Sequence, residues 1–478
     1  MGQREGIKMR INDVPFQWTI TKSNWINTTE FRLNASSYSV DAISVLRNIE
    51  ELKKKCSVSL LGDFSDKIFY PPRFKRPYCK SGEGILFLSS REIFYLIFEG
   101  KYVKTLEDEY IVKPDWILIT RSGTVGRVLL TNKLFDGIGV SEHVIRIIPD
   151  TNAPIGYLYA FLTSYFGQTL IKKHIFGGVV DEVEPNHIAN IPVPLLPESD
   201  IKEINKKILK AHKLREEAQK LLLKAEQMIY TELGLPEIDE DDVKYFGGDL
   251  GRIVKSFIIK ASELNLRLDT SYHLPILKEI DKYLLSSSHD VTDLGDVVQD
   301  VFIPTRFKRP YVNDPNIGIP FLQGSHIPLI KPFDIKYLWN KMKNLKKVII
   351  KKNWILITRS GTVGRVAIVR DFWNGGGASE HVLRLIPNEN INAGYLVAFL
   401  SSMYGELQMK GKVYGGVVDE IAEQDTSLIR EIKILIPPDR LQEKIGNLVL
   451  EAYDKRDEAN IIENDAVKLF EDRLRKMD

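Results

Sequence analysis

Hydrophobic residues recur every three or four positions in two long stretches of the chain. The spacing places the apolar side chains on one face of an α-helix, and neither stretch contains proline. Each stretch therefore predicts an amphipathic helix of about 34 residues, roughly 50 Å long at 1.5 Å per residue. The apolar positions are Ile201, Ile204, Ile208, Ala211, Leu214, Ala218, Leu221 or Leu222, Ala225 and Met228, then Leu441, Ile445, Leu448, Ala452, Ala459, Ile462, Ala466 and Leu469.

The sequence before each predicted helix has a different pattern of hydrophobic and polar residues. Short apolar and β-branched runs, such as Trp116 to Thr120 and Val144 to Ile148, alternate with glycine and proline. Such runs predict strands separated by turns. A long helix with a narrow apolar seam is unstable alone in water, so we expect the two helices to pair. Parallel pairing remains possible, but antiparallel pairing would give the chain a pseudo-two-fold symmetry.

An internal repeat organises the chain. The segment Trp116-Ile-Leu-Ile-Thr-Arg-Ser-Gly-Thr-Val-Gly-Arg-Val128 returns unchanged at 354–366. Four further blocks recur in the same order, namely 73–78 at 306–311, 141–144 at 379–382, 177–182 at 415–420 and, more weakly, 32–38 at 267–272. A duplicated unit of roughly 235 residues is too long for a solenoid repeat and fits a domain with an appended helix.

The repeat and the composition shifts predict five segments. Residues 1–197 form a first sheet-rich domain, of which 1–23 are an unassigned extension, and 198–235 form the first helix. Residues 236–260, which hold Pro236 and an acidic run, read as a connector. Residues 261–437 form the second sheet-rich domain and 438–478 the second helix.

Composition narrows the class of protein only modestly. The 66 basic and 64 acidic residues give a net charge of +2, so any case for nucleic acid must rest on local patches. The two cysteines cannot form a disulfide framework, and the sequence contains no CxxC motif of the kind that binds zinc. No apolar signal core and no long apolar run is present, so we expect a cytoplasmic protein without a membrane partner.

Sequence motifs for catalysis are missing. Ser-Gly-Thr-Val-Gly-Arg lacks the Gly-Lys-Ser/Thr ending of a phosphate-binding loop, and no amino-methyltransferase or His-Glu-x-x-His motif occurs. His143 and His381 recur beside Glu142 and Glu380. They are either a catalytic pair or histidines with a structural role. We therefore expect a chain without an active site, metal or cofactor of its own.

Two repeated motifs suggest nucleic-acid binding. Arg73-Phe-Lys-Arg-Pro-Tyr78 and its copy from Arg306 place three cations and two aromatic rings in six residues. Cations suit phosphates, and guanidinium groups suit guanine edges. The alternative is a solvated loop whose rings pack into the core. Arg121 to Arg127 forms a turn that could face a phosphate, with a plain hairpin turn as its alternative.

Other polar segments differ between the copies. Six lysines lie between Lys341 and Lys352, either along a DNA backbone or on a merely solvated face. Gln323-Gly-Ser-His326 stands where the first copy has Leu88-Ser-Ser-Arg-Glu92. Unlike side chains in a like frame are expected of two domains that read different bases. The stretches around 88–102 and 323–339 are thus candidates for base choice.

The ordered blocks resemble the specificity subunits of Type I restriction–modification systems. The resemblance covers essentially the whole chain from about Asn24. It rests on the Arg-Leu-Asp-Thr-Ser-Tyr opening, the Trp-Ile-Leu-Ile-Thr-Arg block, the Gly-Gly-Val block and the Pro-ended strand before each long helix. It implies an α/β (α+β) fold with two target recognition domains and two long helices in an antiparallel coiled coil that acts as a ruler.

The resemblance also implies partners and a target. Two methyltransferase subunits carrying S-adenosylmethionine would dock on this chain and methylate adenine N6. The resemblance also allows restriction subunits that use ATP and Mg as optional further partners. The target would be an asymmetric bipartite double-stranded DNA sequence with a nonspecific spacer. Rival hypotheses are a two-headed protein-binding scaffold and a DNA-modification enzyme of unrecognised type.

By motif position, the resemblance predicts DNA contact for seven matched residues in each copy, and Gln323, Ser325 and His326 of the second copy are added as candidate base readers. The predicted residues are Arg73, Lys75, Arg76, Arg121, Ser122, Thr124 and Arg127, then Arg306, Lys308, Arg309, Gln323, Ser325, His326, Arg359, Ser360, Thr362 and Arg365.

Overall fold

A computed structural model gives the architecture of the chain. It describes residues 9–11, 14–16, 23, 35–176, 181–238, 256–264, 267–414, 420–421 and 426–477. The chain divides into two units, unit 1 with residues 1–216 and 459–478 and unit 2 with residues 217–458. Most of the predicted extension 1–23 and connector 236–260 lies outside the described residues, as do 177–180 and 415–419 of the Gly-Gly-Val blocks.

Unit 1 contains short strands arranged in small sheets. A hairpin of β1 and β2 precedes them, and three sheets follow with the orders β10-β6-β7-β5, β4-β11-β8-β9 and β12-β3. All pairs are antiparallel except β6 with β10. The strands are β1 Met9–Ile11, β2 Val14–Phe16, β3 Val58–Leu60, β4 Ser65–Phe69, β5 Tyr78–Cys79, β6 Ile85–Leu88, β7 Lys101–Val103, β8 Ile117–Thr120, β9 Val128–Leu130, β10 Gly139–Val140, β11 Val144–Pro149 and β12 Pro192–Pro194.

Helices pack around these sheets. Ser39 and Ser164 cap two of them with side-chain oxygens that accept backbone N–H groups. The helices of unit 1 are α1 Val40–Leu52, α2 Ile155–Thr163, α3 Tyr165–Lys173, α4 Pro185–Ala189 and the first half of α5 Glu198–Leu233. One apolar core joins β8, β11 and α2 to Ile204 and Ile208 of α5.

Unit 2 repeats the plan of unit 1. Its sheets have the orders β15-β17-β16-β20, β14-β21-β18-β19 and β13-β22, which match the three main sheets of unit 1 strand for strand. The strands are β13 Asp290–Asp293, β14 Val298–Phe302, β15 Tyr311–Val312, β16 Gly318–Leu322, β17 Lys336–Trp339, β18 Ile355–Thr358, β19 Val366–Ile368, β20 Gly377–Ala378, β21 Val382–Pro387 and β22 Lys433–Ile436. The helices are α6 Pro275–Leu285, α7 Ala393–Ser401, α8 Met403–Gly411, α9 Ser427–Arg430 and α10 Asp439–Met477.

The two long helices α5 and α10 are antiparallel where they meet within each unit. In unit 1, Asp200 lies 3.4 Å from Arg473, and Lys207 lies 2.5 Å from Asp465. In unit 2, Glu217 lies 2.8 Å from Lys455, and Lys444 lies 3.0 Å from Glu232. Rising numbers in one helix meet falling numbers in the other. The predicted pair of helices, their antiparallel direction and the sheet-rich repeat are confirmed.

A buried polar cluster marks the helix pair in unit 1. Arg215 of α5 forms an ion pair with Glu463 of α10 and donates to the Asn460 side chain at 2.9 Å. The Tyr159 hydroxyl of α2 donates to the same Glu463 carboxylate at 3.3 Å. Removal of one partner from a buried guanidinium–carboxylate pair strongly destabilises the fold, because the other charge stays buried without compensation. The cluster therefore fixes which residues of α5 and α10 face each other.

Candidate nucleic-acid interface

Two polar segments leave the small sheet of unit 1 at one edge. Strands β6 and β10 are parallel, so their carboxyl ends lie side by side, and the Ser141 N–H donates to the Leu88 carbonyl at 3.0 Å. In unit 2 the Ser379 N–H donates to the Leu322 carbonyl at 2.9 Å. We call the residues that follow these strands the polar edge, comprising 89–92 and 141–143 in unit 1 and 323–326 and 379–381 in unit 2.

The loop Arg73–Tyr78 is attached to the polar edge of unit 1. Arg76 donates to the Glu142 carboxylate at 2.6 Å. Phe74 packs against Tyr110 and Phe87, with centroid distances of 4.4 Å and 5.9 Å. Arg73 keeps 85% of its side chain exposed, and Lys75 is exposed. The loop therefore combines both sequence interpretations, because Phe74 packs inward while Arg73 and Lys75 face solvent.

Unit 2 builds the same loop with its own residues. Arg309 pairs with Glu380, and Phe307 packs edge-on against Phe321 at 6.4 Å. Arg306 and Lys308 are exposed. The repeated motif is thus repeated geometry, with one arginine used to hold the loop and two cations displayed.

The turn between β8 and β9 also joins the polar edge. The Ser122 hydroxyl lies 2.6 Å from Nδ1 of His143, and in unit 2 the Ser360 hydroxyl lies 2.8 Å from Nδ1 of His381. Gly123 has a φ of 78°, which favours glycine at the tip. Thr124 is exposed beside it, as Thr362 is in unit 2.

The arginines that begin these turns face inward. Arg121 donates to Glu182 at 3.0 and 3.1 Å and to Glu184 at 2.7 Å. Arg359 is 1% exposed and donates to Glu420 at 2.9 Å and to the Ile421 carbonyl at 2.8 Å. Because Glu182 and Glu420 end the repeated Gly-Gly-Val blocks, these ion pairs account for part of that repeat. DNA contact by Arg121 and Arg359 stays a prediction.

The arginines that end the turns are half-buried. Arg365 lies 3.6 Å from the Glu406 carboxylate of α8. In unit 1 the corresponding helix α3 supplies Gln168, whose amide donates to the Gly126 carbonyl at 2.8 Å, next to Arg127. The side of each turn that faces α3 or α8 is therefore fixed, which leaves the Gly-Thr tip as its outward part. DNA contact by Arg127 and Arg365 also stays a prediction.

The segment Gln323–His326 holds its own shape through a histidine. The Gln323 N–H donates to Nδ1 of His326 at 3.1 Å, and His326 is buried. In unit 1 the Ser89 N–H donates to the Glu92 carboxylate at 2.7 Å in the same place. His326 thus takes the part of Glu92, while Ser325 is exposed and Gln323 half-buried. Base contact by these three residues stays a prediction.

A buried arginine supports each polar edge from within. Arg146 is fully buried and donates to the carbonyls of Val144 at 2.6 Å and Ser141 at 3.2 Å, and to that of Val140. Arg384 repeats the arrangement in unit 2. Burial lowers the pKa of Arg146 to about 9, so the guanidinium stays protonated at neutral pH. One side chain therefore ties together the backbone that carries Glu142 and His143.

The carboxylate at the centre of each polar edge is ionised. Burial opposes the charge on Glu142, but its own backbone N–H and the Arg76 guanidinium outweigh burial and lower the pKa of the carboxyl. Arg309 and backbone contact lower the pKa of Glu380 against the same opposing burial. Each carboxylate also lies 3.7 Å from Nε2 of the adjacent histidine. A negative charge is thus enclosed beneath the exposed cations.

Sequence reasoning missed several residues of this site. Arg146 and Arg384 were not singled out, although both lie in matched strands. Lys101 lies 4.9 Å from the ring of exposed Tyr78, and Lys336 lies 5.1 Å from the ring of exposed Tyr311. These cation–aromatic pairs fall in stretches expected to differ between copies. The signal that could have found them was alignment of the short strands β7 and β17.

The described ranges also bear on metal binding and on membrane crossing. No group of three or more His, Cys, Asp or Glu side chains is placed to hold a metal ion there. Within the same ranges, no helix has the length and apolar character to cross a membrane.

Comparison with protein families decides what this repeat is. Residues 48–224 and 290–467 each match the family model described as the Type I restriction modification DNA specificity domain, and together they span more than half of the sequence. The chain belongs to this family. It is a DNA sequence-recognition subunit with two specificity domains, and specificity subunits of the family are not enzymes. Each match ends inside a long helix, so the specificity domain includes both head and helix.

Solved structures similar to this chain include subunits of type I restriction–modification systems. The S subunit from M. genitalium is 13% identical with a TM-score of 0.36, over 88% of this chain and 95% of that one. The HsdS subunit from Thermoanaerobacter tengcongensis is 13% identical with a TM-score of 0.28, over 88% and 96%. A chain from a study of type I R-M complex assembly and conformational transition is 14% identical with a TM-score of 0.28, over 88% and 97%. A comparison with curated proteins finds no significant match.

Proposed function

We propose that the head of each unit reads one part of an asymmetric bipartite DNA target. The observation that carries this proposal is the polar edge, which occurs twice with one frame and different side chains. The frame comprises the Arg76–Glu142 and Arg309–Glu380 pairs. A shared frame suits contacts to the DNA backbone, which is the same in any sequence, whereas base readout needs side chains that differ.

The outward cations supply the sequence-independent part of binding. Arg73 and Lys75 in unit 1, and Arg306 and Lys308 in unit 2, are exposed on loops held by buried rings. Thr124 and Thr362 add exposed hydroxyls at the turn tips. Phosphate contacts of this kind release counterions, so the affinity should fall steeply with salt.

The inward arginines hold the turns in place. For Arg121 or Arg359 to contact DNA directly, its ion pairs with Glu182, Glu184 or Glu420 would have to break. We assign both residues a positioning role, in which they fix the strand that carries Ser122 or Ser360. Arg76 and Arg309 position the cationic loops in the same way.

One element carries opposite charges in the two units. A 3-10 turn precedes the bridges Ile111–Gly139 in unit 1 and Ile349–Gly377 in unit 2. When the two units are aligned on these bridges, Asp108 and Glu109 of unit 1 correspond to Lys346 and Lys347 of unit 2. Tyr110 of the acidic turn donates to the Pro72 carbonyl at 2.6 Å, so the turn lies beside the cationic loop. We propose that the lysine turn adds phosphate contacts in unit 2 that unit 1 does not make.

The long helices set the spacing and dock the partners. Two methyltransferase subunits carrying S-adenosylmethionine would bind this chain, with ATP-dependent restriction subunits where they are present. The antiparallel pairing of α5 and α10 within each unit supports a fixed spacer between the two half-sites. The domain limits 1–197, 198–235, 236–260, 261–437 and 438–478 belong to this proposal.

Fluorescence anisotropy with labelled duplex DNA tests the proposal. The chain is measured alone and with its methyltransferase subunits, across a series of salt concentrations. The expected result is binding whose affinity falls with salt and weakens in the Arg73→Ala/Lys75→Ala and Arg306→Ala/Lys308→Ala variants. Lys53→Ala is the matched control, because Lys53 is exposed at the end of α1. Absence of DNA binding in both forms at every salt concentration would contradict it.

A further inference from the structure

The turns after β6 and β16 share a frame but present different side chains. Each begins directly after a buried leucine, Leu88 or Leu322. In each, the first backbone N–H donates to the side chain three residues later, as in Ser89 to Glu92 and Gln323 to His326. The alignment therefore fixes the third position of the turn, which is Arg91 in unit 1 and Ser325 in unit 2.

Both third positions are exposed. Within the described residues, the Arg91 guanidinium has no hydrogen bond or ion pair. Neighbouring Ile93 and Phe94 are buried and anchor the turn beneath it. Arg91 is thus a cation on a rigid base with its five N–H donors unused inside the protein.

The turn forms one of the two segments of the polar edge and lies next to the other. In unit 1 it follows Leu88, whose carbonyl accepts the Ser141 N–H. In unit 2 a Cβ built on Gly324 would lie 3.6 Å from the His381 carbonyl oxygen. The turn that carries the third position therefore adjoins the Glu–His segment, whose Glu142 contacts the cationic loop and whose His143 contacts the Ser–Gly–Thr turn.

We propose that Arg91 is a specificity-determining residue, which reads one guanine in the half-site of the first head. An arginine fork donates to O6 and N7 of guanine in the major groove, and no other base presents that pair of acceptors. Ser325 has a short hydroxyl that either donates or accepts, so the second head lacks this requirement at the corresponding base. The inference rests on the proposed function.

Methylation mapping tests the proposal with the assembled complex. The chain and its methyltransferase subunits are expressed in a host without other adenine methylation, and the methylated motif is read by single-molecule sequencing. The variants are Arg91→Ser, Arg91→Lys and Ser325→Arg, with Lys53→Ser as an exposed-cation control. Methylation rates on oligonucleotides that differ at one base then measure discrimination.

In the supported case, Arg91→Ser accepts other bases at one guanine of one half-site and leaves the other half-site unchanged. Discrimination at that base should fall roughly 5- to 150-fold. Arg91→Lys should relax the same position, because an ammonium lacks the planar fork. An unchanged motif in Arg91→Ser, or a uniform loss of rate with the motif intact, would overturn the proposal. If the wild-type complex methylates no bipartite motif, the proposed function itself fails.

Discussion

Nη2 of Arg76 lies 2.6 Å from Oε2 of Glu142, and this ion pair joins the cationic loop to the polar edge. The Glu142 side chain is 6% exposed and the Arg76 side chain 25%, so the pair is largely shielded from water. The two residues are 66 positions apart in sequence. Their contact positions Arg73 and Lys75 over the edge of the small sheet, and unit 2 repeats it with Arg309 and Glu380.

Removal of this carboxylate should loosen one head selectively. Glu142→Ala leaves Arg76 half-buried without its main partner, and we expect the free energy of unfolding to fall by about 1–3 kcal/mol. DNA affinity should fall with it, because the loop cations lose their fixed position. Chemical denaturation and anisotropy measure the two effects.

The matched control for Glu142→Ala is a double-mutant cycle with Arg76→Ala. If the pair holds the loop, the second substitution should cost less in the presence of the first. Strictly additive losses would show that Arg76 and Glu142 act independently.

Acid should weaken the same contacts. The pKa of Glu142 and Glu380 is lower in the folded protein than in the unfolded chain. Their stabilising contribution is therefore complete above the unfolded value near 4.5 and is lost as the pH falls through the folded value. We expect the unfolding free energy to decrease more steeply below pH 4.5 in the wild type than in Glu142→Gln. Equal pH dependence of the two proteins would refute this assignment.

His212 gives α5 a sensitivity to pH in a higher range. Burial and the nearby Arg215 lower the pKa of this histidine. The unfolded chain, with a pKa near 6.5, therefore binds the proton first, and stability falls as the pH drops below that value. Tyr453 stands three residues before Arg456, as His212 stands before Arg215. In His212→Tyr, the unfolding midpoint should change less between pH 7.5 and 5.5 than it does in the wild type. An equal change with pH in both proteins would exclude His212 as the source of the pH dependence.

The lysine turn of unit 2 should raise the salt dependence of DNA binding. Each phosphate contact contributes about 0.9 to the slope of log affinity against log salt. Substitution of Lys346 and Lys347 by Ser should therefore reduce the slope by up to about 1.8. The reciprocal variant Asp108→Lys/Glu109→Lys in unit 1 should increase it. Slopes that do not change in either variant would show that this element faces away from DNA.

Removal of one partner of the buried Arg215–Glu463 pair should destabilise the fold strongly, whereas replacement of both by apolar residues should destabilise it little. Glu463→Leu leaves Arg215 buried without its carboxylate, and we expect unit 1 to lose about 3–5 kcal/mol of stability. Arg215→Met together with Glu463→Leu should recover most of that loss, because two apolar side chains pack in place of two charges. Thermal unfolding checks both variants, and a double variant no more stable than Glu463→Leu would contradict the explanation.

Periodic features of the fold could be predicted from the sequence. The two predicted long helices are α5 Glu198–Leu233 and α10 Asp439–Met477, because an apolar seam and a preceding proline mark a helix in the sequence itself. The strand Val144 to Ile148 appeared as β11 Val144–Pro149 for the same kind of reason. The repeat predicted a duplicated domain with an appended helix, and the sheets of unit 2 indeed match those of unit 1 strand for strand.

The inner structure of the site could not be predicted in this way. Strands β6 and β10 are four and two residues long, too short for a pattern, yet their parallel pairing creates the polar edge. Arg146 looked like any charged residue, which is normally exposed, whereas folding buries it among carbonyls. Which arginine of a motif faces inward depends on carboxylates far away in sequence, such as Glu182 for Arg121.

The ruler proposal has its own test in α5. Insertion of four residues near Leu221 adds roughly one helical turn and 6 Å to α5. The spacer of the methylated motif should change in length while both half-sites keep their bases. A spacer of unchanged length in an assembled, active complex would contradict the proposed role of the helices.

The most direct test is the motif that the wild-type complex methylates. Single-molecule sequencing of DNA from a host that expresses this chain with its methyltransferase subunits gives the motif in full. Two heads with one frame and different side chains predict two unlike half-sites separated by a spacer of fixed length and free sequence. A single continuous motif, two identical half-sites, or methylation without sequence preference would contradict the account.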